Sequence, residues 1–158
     1  MTNQTLKSTI KTLKHPIIGT AHKDPDIDAI GSLLALRLGL KQKNHDLECY
    51  VSDYKPTKFQ FLPHYNDIQS IPSSKDCHSL IYIDCSNEYR IKFPKKIPKA
   101  SQTINIDHHQ DNTLFGTINI VHNISSVGEL LYKEMLNADI VITPEIAKNL
   151  YAAIAFDT

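Results

Sequence analysis

Short apolar runs alternate along the chain with stretches whose apolar side chains recur every three or four residues. The runs at 17–21, 48–52, 80–84, 103–106 and 117–121 read as buried strands. The run Leu80-Ile81-Tyr82-Ile83 has no polar alternation, as expected of a strand covered on both faces. Helices are predicted at 6–14 (stopped by Pro16), at 29–41, at 126–137 and from Pro144 towards Asp157. The second is apolar nearly all round, through Ile30, Leu33, Leu34, Leu36 and Leu38, and should be buried. The third opens with Ser126 and Glu129 in the spacing of a capping box. Thr143 and Pro144 have the cap and first-turn signature that starts the fourth. Residues 57–62 read as a helical turn closed by Pro63, and 92–99 as a loop rich in Pro and Lys. The alternation predicts an α/β domain: a mostly parallel sheet of these five strands with helices on both faces.

Composition narrows the picture. The 158 residues suffice for one domain with its own core. Lys+Arg and Asp+Glu are 17 each, so no global basic field exists to hold long nucleic acid. The lysines of 92–99 read as a solvated loop. No apolar run approaches the roughly 20 residues of a membrane span, and the start lacks the charged and apolar regions of a signal peptide. Cys49, Cys77 and Cys85 are odd in number and form no CxxC pair, which argues against a disulfide framework or zinc–thiolate site. Reduced cysteines in a cytoplasmic protein are the simplest reading, with Cys85 packed as a small hydrophobe.

Four segments gather acids and histidines at the ends of apolar elements. They are His22-Lys23-Asp24-Pro25-Asp26-Ile27-Asp28, then Asp84, then Asp107-His108-His109, and finally Asp157-Thr158. The first three follow predicted strands. In a parallel sheet the carboxyl ends of the strands share one edge, so these acids would converge in one crevice. Converging carboxylates repel unless cations sit between them. Oxygen and imidazole ligands without thiolate suit Mn²⁺ or Mg²⁺. Singly, each piece has a plain structural reading; Asp24-Pro25-Asp26, for example, is also a turn signal. The ordered set is what carries the argument.

That set resembles the DHH phosphoesterase superfamily. Residues 22–32 look like its first motif, Asp84 its second, Asp107-His108-His109 the motif that names it, and Asp157-Thr158 its fourth. Within the superfamily the chain is most similar to the branch of nanoRNases and 3′-phosphoadenosine-5′-phosphate (pAp) phosphatases, the NrnA type. Phe61-Leu62-Pro63 after Tyr54-Lys55-Pro56, Asn105-Ile106 with Asn112, and Ser125-Ser126-Val127-Gly128-Glu129 carry that likeness.

The resemblance implies two divalent cations, Mn²⁺ or Mg²⁺. His22 and Asp26 would bind the first, Asp28, His108 and Asp157 the second, and Asp84 would bridge both. His109 would face the scissile phosphate as stabiliser or proton donor. Ser32 and Arg90 are weaker candidates for substrate contact. The implied substrates are short RNA or pAp, the implied assembly is a homodimer, and no membrane is involved. Two departures stand out: Ile27 replaces a common Gly, and the family's C-terminal substrate-binding domain is absent, leaving residues 1–158 as a single catalytic domain of weak or no activity alone. Open alternatives are a family II inorganic pyrophosphatase, a cyclic-dinucleotide phosphodiesterase or RecJ-like exonuclease domain, and a catalytically silent metal-binding module.

Overall fold

A computed structural model describes residues 4–51, 57–73, 76–91 and 98–158. Among these residues four α-helices and five strands follow in the order α1 (Leu6–Ile10), β1 (Ile17–Ala21), α2 (Ile27–Lys41), β2 (Leu47–Tyr50), β3 (Asp76–Ile83), β4 (Lys99–Asp107), β5 (Ile118–Val121), α3 (Val127–Asn137) and α4 (Pro144–Asp157). Short 3₁₀ turns occupy Thr57–Phe59, Tyr65–Asp67 and Glu88–Arg90.

The strands form one parallel sheet in the order β2-β1-β3-β4-β5. From β1 the chain steps outward to β2, and from β3 it steps the opposite way to β4. The strand order therefore reverses between β1 and β3, which opens a crevice at their carboxyl ends. Register aligns that edge: Ala21 pairs with Ile83, and Ile83 with Ile106. His22, Asp84 and Asp107 follow at the same level.

The expected parallel α/β sheet is present, but its helical cover is uneven. All four α-helices contribute to one core with Ile17, Ala21, Ile81, Ile83, Ile104, Ile106 and Ile120 of the sheet. On the other face, Ile18, Leu80 and Tyr82 are covered by Ile91, Ala100 and Phe115, and by no α-helix among the described residues. Tyr82 and Phe115 meet with ring centroids 5.2 Å apart.

α2 is buried as expected, with Ile30, Leu33, Leu34, Leu36 and Leu40 fully enclosed. At about 1.5–3 kcal/mol for each such side chain, this burial supports the charged first turn of the same helix. α4 lies unusually close to α2 and α3. A Cβ on Gly31 would stand 2.6 Å from the Asn149 carbonyl oxygen, and one on Gly128 2.7 Å from Ala153 Cβ. Neither position accommodates a side chain without moving α4.

Several boundaries differ from the sequence reading. α1 ends at Ile10 because Thr12 and Leu13 switch to i→i+3 bonds ahead of Pro16. α2 begins at Ile27, since Asp26 is its N-cap and accepts from the Ala29 amide at 2.9 Å. In α3, Ser126 caps as expected, but Glu129 reaches back to the amide and hydroxyl of Ser125 and not to Ser126. Ser52, the Tyr54-Lys55-Pro56 segment and Lys92, Lys95 and Lys96 lie outside the described residues. No helix among the described residues is long and apolar enough to cross a membrane.

Candidate metal centre

Asp84 is the hub. It follows β3 in the left-handed region (φ 58), where Asp is tolerated better than most residues, and it is 2% exposed. Its amide donates to the Ile106 carbonyl at 3.0 Å, fixing the turn against β4. Its Oδ2 lies 3.4 Å from His22 Nε2, and its Oδ1 lies 3.5 Å from His108 Nε2. Oδ1 is buried without a hydrogen-bond partner. An unpartnered buried carboxylate oxygen is costly, and a cation would satisfy it.

On one side of Asp84 stand His22 and Asp26. His22 Nδ1 lies 2.7 Å from the Lys23 carbonyl, an acceptor, so Nδ1 carries a proton and Nε2 is directed at Asp84 and, 3.9 Å away, at Asp26 Oδ2. On the other side His108 repeats the device. Its Nδ1 donates to the Ile124 carbonyl at 3.1 Å, and its Nε2 stands 3.5 Å from Asp157 Oδ2 at the end of α4. Asp28, fully buried, completes this side. His22, Asp26 and Asp84 form one group that could hold an ion, and Asp28, His108 and Asp157 a second. Separations of 3.4–3.9 Å are somewhat wider than the roughly 3 Å between neighbouring ligands around an ion bound at about 2.1 Å. Small side-chain movements close that gap. The donors are all oxygen and imidazole, so the residues present fit two hard divalent cations.

Asp28 has a second job. Its Oδ2 accepts from the Val127 amide at 2.8 Å, and its Oδ1 from the Gly128 amide at 2.9 Å and the Ser32 hydroxyl at 3.1 Å. It thereby joins α2 to the N-terminus of α3, where the helix dipole favours negative charge. Ser32 is fully buried, so it braces Asp28 and does not face a phosphate as the sequence suggested.

The electrostatics report a demand for positive charge. Burial, then the negative charge of Asp84, push the Asp28 carboxyl up to about 7, against the opposing pull of the Val127 and Gly128 amides. Asp84 itself is held well below the usual carboxylate range: burial opposes its charge, but His108 and His22 outweigh it. The facing Asp84 carboxylate raises His108 to about 9 despite burial. In His22 burial works downward and is overcome by Asp84, the Lys23 carbonyl and Asp26. Burial, then the charges of Asp26 and Asp84, raise Asp157. Two divalent ions would displace the protons these groups otherwise hold.

His109 differs from the other two histidines. Its Nδ1 lies 2.8 Å from Asp107 Oδ1 and 3.6 Å from Asp84 Oδ1, and it is partly exposed. Asp107 is completely buried; it belongs to the motif, but its position along the chain assigns it no role. Only the pairing of β4 with the loop that follows reveals it. Arg90 anchors the site through its backbone, its carbonyl accepting from the Lys23 amide at 2.7 Å. Cys85 is buried and packed as expected, like Cys49 and Cys77.

Residues 16–154 match the DHH family, N-terminal domain. A Thermus thermophilus protein named bifunctional oligoribonuclease and PAP phosphatase NrnA is 30% identical over 94% of this chain and 45% of its own length. A Streptococcus mutans protein named "probable bifunctional oligoribonuclease and PAP phosphatase NrnA" is 28% identical over 90% of this chain and 45% of its length. The chain thus spans about half the length of the curated relatives it matches. An exopolyphosphatase-related protein from Bacteroides fragilis shares the fold, with a TM-score of 0.80 over 96% of this chain and 48% of that one at 24% identity. With its family match covering most of its length and the family's motifs converging on one sheet edge, this chain belongs to the DHH family.

Proposed function

We propose that this chain is the cation-binding half of a phosphoesterase that hydrolyses short oligoribonucleotides, pAp or both, with two divalent cations, Mn²⁺ or Mg²⁺. The observation that carries the reading is Asp84, a buried carboxylate whose two oxygens face separate histidine–aspartate groups. In this reading His22 and Asp26 hold one cation, Asp28, His108 and Asp157 the other, and Asp84 both. When bound, such a pair polarises a phosphoryl group and acidifies water. The chain's own residues supply the rest. Hydrogen bonds to the carbonyls of Lys23 and Ile124 aim Nε2 of His22 and His108 at Asp84. His109, outside both groups, is left to meet the phosphoryl oxygens as a donor.

The relatives' names support the substrate class, and the share of their length outside this chain fits a substrate-binding domain that the same reading requires. The buried free cysteines agree with a reducing cytoplasm. The test is parallel turnover of an RNA dinucleotide, pAp and pyrophosphate with Mn²⁺, for the wild-type chain and Asp84→Ala. Release of mononucleotide or phosphate from the first two, abolished in the variant, is expected. Preferred hydrolysis of pyrophosphate would replace the substrate assignment. Turnover equal in Asp84→Ala would overturn the site.

A further inference from the structure

A hydrogen-bond network built on the buried Asp107 and Asn105 and the partly buried Asn112 lies behind His109. Asn112 Nδ2 donates towards Asp107 Oδ2 at 2.5 Å, Asn105 Oδ1 at 2.8 Å and the Cys85 carbonyl at 3.1 Å. Asn112 Oδ1 accepts from the Leu114 amide at 2.7 Å. Asn105, fully buried, sends its own Nδ2 to the Cys85 carbonyl at 3.0 Å. These partners leave the orientation of Asn112 no freedom. Reversing the amide would set its oxygen against three acceptors and its NH₂ against an N–H.

With Oδ2 of Asp107 engaged by Asn112, Oδ1 is left for His109 Nδ1 at 2.8 Å. An ionised carboxylate only accepts, so Nδ1 must carry the proton. This matters because Nδ1 also lies 3.6 Å from Asp84 Oδ1, close enough that Asp84, His108 and His109 form a third group able to hold an ion. A protonated Nδ1 has no lone pair to give a metal.

Resting on the two-cation reading above, we propose that Asp107, oriented by Asn112, is a positioning residue that withholds His109 Nδ1 from the metal set and presents Nε2 to the substrate phosphoryl group. The network also sets what an amide at position 107 would do. In Asp107→Asn, Asn112 keeps the new carbonyl oxygen facing itself, so the new NH₂ faces His109. Nδ1 must then accept, and the neutral ring switches its proton to Nε2. Reversal of an imidazole tautomer by such a change has a large catalytic cost where the ring transfers protons.

The experiment is ¹⁵N NMR of His109 at a pH where the ring is neutral, in the free and the Mg²⁺-loaded chain. The wild-type ring is expected as Nδ1–H and Asp107→Asn as Nε2–H. The double variant Asp107→Asn/Asn112→Ala frees the amide to turn and should restore Nδ1–H. A wild-type Nε2–H ring would overturn the proposal without any variant, as would an unchanged tautomer in Asp107→Asn or no restoration in the double variant. Where turnover is detected, Asp107→Asn should lower kcat by about 10²-fold with KM nearly unchanged. Equal losses from Asp107→Asn and the double variant would indicate a merely structural role. Absence of phosphoester turnover in the wild type would sink the proposed function and leave the tautomer result to be judged alone.

Discussion

At the scale of residues, the site is a set of carboxylates made tolerable by protons or cations, and its pH behaviour follows. His108 is raised from 6.5 to about 9, so its contribution to stability is complete below about 6.5 and lost as pH rises through 9. Asp28 is raised from 3.8 to about 7, so its protonated form favours the fold at low pH and this is lost by about pH 7. Asp84, lowered, works oppositely but only below the ordinary carboxylate range. The chain stripped of metal should therefore melt at progressively lower temperature between pH 6.5 and 9, while the stabilisation by excess Mg²⁺ grows over the same window. A cation-free melting temperature that is flat or rising there would refute this balance. The members of the two candidate cation groups were legible in the sequence because each lies in a short polar segment that follows an apolar run. The bonding of Asp107 and Asn112, both named with the motifs, was not, since it depends on where the 108–114 loop returns beneath Cys85.

At the scale of elements, α4 decides whether the second cation group exists, because it carries Asp157. Its distance from α2 is set at Gly31. Gly31→Ala should cost about 1–3 kcal/mol by overpacking against the Asn149 carbonyl. It should also weaken the cation held by Asp28, His108 and Asp157 more than the one held by His22 and Asp26. Thermal melts with a Mn²⁺ binding isotherm check both; an unaltered isotherm would mean that α4 placement does not govern the site. The sequence disclosed α2 through its unbroken apolar surface and α4 through Thr143 and Pro144. It put the start of α2 two residues late because Asp24-Pro25-Asp26 reads as a turn, whereas Asp26 turns the chain and caps the helix at once. Consequently Asp28, which the predicted helix start at 29 left just outside, sits in the first turn of α2 and ties it to α3.

At the scale of the whole molecule, a reversal of strand order at β1 and β3 gathers the motifs into one crevice. The alternating pattern disclosed the parallel sheet. It could not disclose that the four described α-helices join a single core cluster, because that depends on the path of connections that leave little periodic signal. With zero formal net charge the chain has no global attraction for a polyanion, and on the proposed reading it grips substrate through local cation contacts. Dinucleotide binding should then lose less than about tenfold between 50 and 200 mM salt, below the loss expected of proteins that track many phosphates. Titrating KM against salt tests this, and a loss of about 10³-fold or more would reveal an extended backbone contact.

In the proposed site one buried carboxylate serves two cations. Its most direct test is Mn²⁺ stoichiometry by calorimetry, with electron paramagnetic resonance to detect coupling between ions about 3.5–4 Å apart. Two Mn²⁺ per chain with a coupled spectrum, both lost in Asp84→Ala, is the predicted result. A single uncoupled ion, or binding indifferent to Asp84, would contradict the account.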